Sequence, residues 1–145
     1  MSKTFLSSID GKNSVMKQKI LGLCINDGDY SLADLSKELG ASIPTITKLV
    51  GELLEEGLLE DLGKIGTNGG RRPSIYGLNP SAGYFVGVDI RRKFLSYAVT
   101  DFKGTLLDYQ EQLRFSVQNS EESFRDLCGF ITDHLQSRGI DPIKV

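Results

Sequence analysis

Two short stretches of this 145-residue chain carry side chains arranged to meet a polyanion. In the first, Ile46, Leu49, Val50, Leu53 and Leu54 fall at i, i+3, i+4, i+7 and i+8, one apolar stripe of a helix. The helix is expected to begin at Ser42, with Pro44 in its first turn, where a missing N–H costs nothing. The stripe leaves Thr45, Thr47, Lys48, Gly51 and Glu52 facing outward. Small hydrogen-bonding groups and one cation therefore come first, and Glu52, Glu55 and Glu56 come last. A helix that enters a DNA major groove by its positive N-terminal end needs this polarity, with its acids held away from phosphate. A trihelical core with a solvated face would show the same pattern.

The second stretch is Gly63 to Arg72, where Lys64, Arg71 and Arg72 cluster around Gly66-Thr67-Asn68-Gly69-Gly70 with no acid between Lys64 and Arg72. Glycines let a backbone approach DNA closely, and paired arginines suit a narrow minor groove. The spacing of a phosphate-binding loop, Gly-x-x-x-x-Gly-Lys-Ser/Thr, is absent. A solvated hairpin is the plain alternative. The expected DNA-contacting residues are thus Ser42, Thr45, Thr47, Lys48, Lys64, Arg71 and Arg72.

The apolar period says what must hold these groups. Met16, Ile20, Leu23 and Cys24 mark a first helix from about Ser14 to Asn26, ended by Asp27-Gly28-Asp29. Ser31 is placed to cap a second helix, with Asp34 in capping-box position, Leu32, Leu35 and Leu39 on its buried face and Gly40 as its stop. After the third helix, Leu58 to Leu62 and Ser74 to Leu78 read as two strands around the glycine-rich loop. Three helices followed by a two-stranded ribbon is the order of a winged helix-turn-helix.

Beyond Pro80 the period becomes two. Tyr84 to Ile90, Phe94 to Asp101 and Thr105 to Phe115 read as strands, joined by Arg91-Arg92-Lys93 and by Asp101-Phe102-Lys103-Gly104. Leu107, Tyr109, Leu113 and Phe115 are expected on one side of the last strand. Ser120 should cap a final helix with Phe124, Leu127, Cys128, Ile131 and Leu135 on one face, closed by Gly139. Ile143-Lys144-Val145 looks like a fourth strand starting. One sheet and one helix in about 65 residues leave a sheet face uncovered, which points to a fragment or to pairing with a second copy.

Composition narrows the field. Hydrophobic residues at 39% and charged residues at 25% describe a globular chain. The longest apolar run, Ile20 to Ile25, falls far short of the ~20 residues a membrane span needs. Residues 1–19 hold no secretory leader, so a cytoplasmic location is expected. Two cysteines make neither a disulfide framework nor a zinc knuckle, and Cys24 and Cys128 on apolar stripes are expected to be buried thiols. A structural role is expected for the single histidine, His134. The net charge of −2 is divided evenly, with nine basic and ten acidic residues up to Pro80 and eight and nine beyond it. Attraction to phosphate must come from charge placement.

The run Gly70-Arg71-Arg72-Pro73-Ser74-Ile75-Tyr76-Gly77-Leu78-Asn79-Pro80, followed by Ala82-Gly83-Tyr84-Phe85-Val86-Gly87-Val88-Asp89-Ile90, resembles the ROK family of repressors, open reading frames and kinases. The resemblance extends over about residues 14–145. It implies an α+β chain: a winged helix-turn-helix DNA-binding domain at residues 1–80, then at 81–145 the start of a sugar-binding domain. That second part would be a truncated actin-like ATPase (ribonuclease H-like) lobe of three antiparallel strands and one helix. By this likeness the third helix reads DNA, Arg71 and Arg72 are wing contacts, and the partners are double-stranded operator DNA, a second copy of the chain and a sugar or phosphosugar effector. Family kinases carry Asp-x-Gly-Gly-Thr-Lys at the first hairpin. Here Asp89 and Ile90 are kept, but Arg91, Arg92 and Lys93 stand where Gly, Gly and Thr would be, which closes the cradle for ATP phosphates. No enzyme and no cofactor is therefore expected in this chain, and the family's zinc site would lie beyond Val145. The rival readings are a carbohydrate kinase with an added domain and a winged helix used for protein contacts.

Overall fold

The computed structural model describes residues 13–64, 73–116 and 118–142. They form two compact units, one up to Ala82 and one from Gly83 onward. Among the described residues, no helix is long and apolar enough to cross a membrane, and no group of three or more His, Cys, Asp or Glu side chains is placed to hold a metal ion.

The first unit runs α1 (Ser14–Asp27), β1 (Tyr30–Ser31), α2 (Leu32–Leu39), α3 (Ile43–Glu55), β2 (Leu59–Lys64) and β3 (Ser74–Leu78), followed by a 3-10 turn at Pro80–Ala82. The expected serine cap of α2 is present. The Ser31 hydroxyl accepts the Asp34 N–H at 3.2 Å and donates to the Asp34 carboxylate at 2.6 Å, so two groups at the start of α2 are satisfied by one side chain. Gly40 ends α2 in the left-handed conformation, φ 60°, with its N–H on the Ser36 carbonyl. Ile20, Leu35, Ile46, Leu49, Val50 and Leu53 are each at most 2% exposed and make the core that the three helices share.

Four details depart from the expected pattern. The inward face of α1 is Lys17, Ile20, Leu21 and Cys24, while Met16 and Leu23 are half-buried. Leu32 and Leu39 are half-buried beside a fully buried Leu35. The ribbon is a three-stranded sheet in the order β1-β3-β2, because Tyr30 and Ser31 pair with Tyr76 and Ile75. β2 also extends through Gly63 and Lys64, which belong to the strand and not to the loop. Where β3 passes Asp29, a Cβ at Gly77 would meet the side chains of Asp29 and Leu62, and both would have to move aside.

The second unit is β4 (Tyr84–Ile90), β5 (Phe94–Asp101), β6 (Leu106–Arg114) and α4 (Glu121–Ser137), an antiparallel sheet in the order β4-β5-β6 with α4 on one face. Leu95, Tyr97 and Val99 of β5 pack with Leu127 and Leu135 of α4 and with Ile140. The turn after β5 is fixed by Asp101, whose carboxylate accepts the N–H groups of Lys103 and Thr105 at 2.9 and 2.8 Å. The buried Tyr97 hydroxyl donates to Asp108 at 2.7 Å. Burial, then the hydrogen bond and charge of Asp108, push the Tyr97 phenol up to about 12. Arg138, 3.6 Å from the same carboxylate, ties the end of α4 to β6.

The expected faces of β6 and α4 need correction. Leu95 pairs with Leu113 but Tyr97 pairs with Gln110, so β6 carries an extra residue there. Gln112 sits at φ 53° in that bulge, the one non-glycine residue with positive φ among those described. A bulge reverses which side of the sheet the following residues face. Leu113 and Phe115 pack against the core, whereas Leu107 and Tyr109 are 47% and 50% exposed. On α4 the inward residues are Ser123, Leu127 and Leu135, with Phe130 and Ile131 half-buried. Phe124 and Cys128 are exposed. Ser123 takes an inward position, where its hydroxyl accepts the Gln118 N–H at 2.9 Å, and Phe124 faces outward. Cys24 is buried as expected, and Cys128 is not. His134 is structural: Nδ1 lies 2.9 Å from the Phe130 carbonyl, and the ring meets Tyr97 edge-on. Ile143 to Val145 lie outside the described residues.

Candidate nucleic-acid interface

The site is built on the turn between α2 and α3. The Ala41 N–H donates to the Ser36 carbonyl at 3.2 Å, and the Ser36 hydroxyl returns a bond to the Ala41 carbonyl at 2.6 Å. This locks a short turn and fixes the entry of α3. Ser42 then caps α3, accepting the Thr45 N–H at 3.4 Å, and its hydroxyl lies 2.8 Å from that of Thr45. Four consecutive residues, Ser42, Ile43, Pro44 and Thr45, are exposed, as are Thr47 and Lys48. The first turn contains no acid; Pro44 has no N–H and Ser42 takes those of Thr45 and Ile46, so the positive end of the helix dipole faces outward with no carboxylate to offset it.

Lys48 is the exposed cation of this face, in a long i,i+4 ion pair with Glu52. Its side chain is 70% exposed, and the nearest acid, Glu52 one turn on, is 3.9 Å away. Lys64 is exposed at the end of β2, in register with Ser74 of β3. These two residues flank the segment that carries Arg71 and Arg72. Both arginines lie outside the described residues, as do all of 65–72. Ser42, Thr45, Thr47 and Lys48 are thus gathered on one end of α3, and Lys64 stands on the ribbon.

Sequence reasoning missed what happens to the acids. Lys17 of α1 is 7% exposed and reaches Glu52 at 2.9 Å and Glu56 at 2.7 Å. Burial alone would lower the Lys17 ammonium, but hydrogen bonds and charges from Glu56 and Glu52 outweigh it and hold its pKa above the ordinary value. The hydrogen bond from Lys17 leads the effects that draw the Glu52 carboxyl below its ordinary value, against the opposing effect of burial. One ammonium therefore offsets two of the three acids at the rear of α3 and cross-links α1 to α3. Glu52 and Gly51 are half-buried and not fully outward as the spacing implied. A lysine at an inward position of α1 was the available signal, since an amine there requires acids opposite.

This clamp gives a pH prediction. Because the folded pKa of Glu52 is depressed, its stabilisation is present above the ordinary value of 4.5 and is lost as pH falls through the folded value. Urea midpoints measured on a pH series should fall on the acid side of about 4.5. Glu52→Gln should lower the midpoint at neutral pH and flatten the acid limb. An unchanged acid limb in that variant would remove Glu52 from the account.

Three helices, a short α2–α3 turn and a three-stranded ribbon beside an open helix end define a winged helix-turn-helix, a class of DNA-binding domain. A family model described as winged helix-turn-helix DNA-binding matches residues 16–60. The chain is 30% identical over 125 residues to the xylose repressor of Bacillus spizizenii, covering 86% of this chain and 32% of that protein. It is 30% identical over 128 residues to the xylose repressor of Bacillus subtilis, with 85% and 33% covered. A solved structure, a ROK family transcriptional regulator described as a homolog of the E. coli MLC protein, shares the fold with a TM-score of 0.62 at 20% identity. That match covers 88% of this chain and 33% of the other. The chain is thus similar to sugar repressors and shares its fold with a ROK family regulator, and it spans about a third of the length of the relatives it matches.

Proposed function

We propose that this chain is the DNA-binding part of a transcriptional repressor of sugar-metabolism genes. The observation that carries the reading is the exposed, acid-free end of α3, with Ser42, Thr45, Thr47 and Lys48 on it, on a winged helix-turn-helix scaffold. α3 enters the major groove by its N-terminal end. Two copies of the chain set their α3 helices in successive major grooves of a near-palindromic operator. Lys64 contacts backbone phosphate, and Arg71 and Arg72 reach into the flanking minor groove.

In the longer protein, residues 81–145 contribute to a domain that takes a sugar or phosphosugar. Its binding shifts the spacing of the two DNA-binding units and so changes DNA affinity. The matched xylose repressors make a pentose the first effector to try. The chain acts by binding and not by catalysis: the turn after β4 carries Arg91, paired with Asp89 at 3.0 Å, where an ATP cradle would need glycine.

Fluorescence anisotropy of the whole chain on labelled DNA from upstream of its own gene, against scrambled DNA and across a salt series, tests this. Preference for the upstream DNA, with affinity falling steeply as salt rises, is the expected result. No binding to either DNA at low salt would overturn it in favour of a protein-contact role, for which the net charge of −2 is the supporting observation.

A further inference from the structure

The chemistry left exposed on α3 says which feature of a base pair it reads, given that α3 enters the major groove as proposed above. Three hydroxyls stand at the helix start, and their protons are mostly committed. Thr47 donates to the Ile43 carbonyl within its own helix at 2.8 Å. Ser42 and Thr45 share one hydrogen bond at 2.8 Å, and the Ser42 oxygen also takes the Thr45 N–H. Two of the three hydroxyl protons are therefore spent inside the protein. The exposed part of the helix has no Asn, Gln or Arg for bidentate reading of adenine or guanine. Lys48 is a point charge on a flexible stem.

What remains outward is hydrocarbon. Ile43 is 51% exposed although the buried stripe of the same helix, Ile46, Leu49, Val50 and Leu53, lies close by. Exposed Thr47 stands beside it at i+4 and brings a methyl group, with exposed Pro44 three residues before Thr47 on the same side, whereas Thr45 lies around the helix from Ile43. A helix tip with an isoleucine, a proline ring and a threonine methyl on one side offers apolar contact where a base-reading helix commonly offers donors. The major-groove feature that answers such a surface is the C5-methyl of thymine.

We propose that Ile43, with the methyl group of Thr47, reads thymine C5-methyl groups in the major groove of the half-site. Burying one methyl against apolar surface is worth about fourfold in affinity, so two contacted thymines give roughly tenfold or more. Ile43 is a specificity-determining residue on this account, and Lys48 supplies attraction without sequence preference.

The test begins with selection of duplexes from a random 24-base-pair library by the whole chain. Each thymine of the enriched duplex is then replaced singly by 2′-deoxyuridine, which removes only the methyl group. Expected are one or two positions per half-site where affinity drops about fourfold for the native chain. At the position facing Ile43, the drop should shrink to under twofold in Ile43→Ala, whose folding is checked by its melting temperature. Ile43→Val, which keeps a branched apolar surface, should retain most of the effect. Deoxyuridine tolerated at every position, or an equal loss in the native chain and in Ile43→Ala, would overturn the methyl reading while leaving DNA binding intact. Failure to enrich any duplex would overturn the DNA-binding reading itself and this inference with it.

Discussion

Changing Arg71 and Arg72 together to alanine is expected to weaken binding to double-stranded DNA by about ten- to hundredfold at ~0.1 M salt, with no change in melting temperature. The chain as a whole carries a net charge of −2, so it has no diffuse attraction to phosphate to fall back on. Its local cation supply is short. α3 contributes Lys48 and β2 contributes Lys64, and the sequence between β2 and β3 adds the two arginines. Removing two of these four cations takes half of the charge that can displace counterions. Each phosphate neutralised adds about 0.9 to the slope of log affinity against log salt, so the double variant should lose nearly two units of slope. Anisotropy titrations at several salt concentrations measure affinity and slope together.

A second substitution separates the two ways in which these arginines could act. Arg71→Lys with Arg72→Lys keeps the charge but replaces the flat guanidinium, which suits a narrow minor groove, with a compact and strongly hydrated ammonium. Phosphate contact alone predicts a restored slope and restored affinity. Groove insertion predicts a restored slope with affinity still reduced about threefold to tenfold. If the alanine double variant binds as tightly as the native chain, Arg71 and Arg72 have no part in DNA binding and the wing assignment fails.

What could be read from the sequence was local, and what could not be read was set across the fold. The capping serines Ser31 and Ser120 were legible because a cap is a contact between residues three apart, and each is present as expected; Ser42, read as the first residue of α3, proves to be its cap. The stripe of α3 was legible for the same reason, since its period is intrinsic to the helix. The α4 face was misjudged because Phe124 and Cys128 also fit a helical stripe. Which of two adjacent stripes is buried depends on the sheet beneath. The β6 bulge has no local signature: Gln112 is neither glycine nor asparagine, and only the pairing with Leu95 and Tyr97 exposes the extra residue. β1 is two residues long and exists only because β3 passes beside it. At the site, the exposed end of α3 was foreseen. The role of Lys17 was not, because its acids lie far along the chain on another helix.

Leu53→Ala should have the largest effect on stability, and its effect on DNA binding should differ in kind from that of the wing arginines. Leu53 is 0% exposed, on the stripe that packs α3 into the helical core with Ile20, Leu35 and Ile46. Truncation removes three buried carbons and leaves a cavity, at a cost of about 2–5 kcal/mol. A unit ending near Ala82 has a small core, and such units rarely hold more than about 3–5 kcal/mol. The variant should therefore be largely or partly unfolded near 37 °C, whereas Leu53→Met, which nearly conserves volume, should stay within about 1.5 kcal/mol of the native chain. Apparent DNA affinity in Leu53→Ala falls by the fraction of molecules still folded. The molecules that do bind keep every phosphate contact, so the salt slope should match that of the native chain. Saturating DNA should also raise the melting temperature of the variant, because DNA binds only the folded form. Loss of affinity with an intact slope marks a damaged scaffold, and loss with a reduced slope marks a damaged contact surface. A reduced slope in Leu53→Ala would mean that α3 has moved within a still-folded unit, and the separation of core from interface drawn along this helix would be wrong.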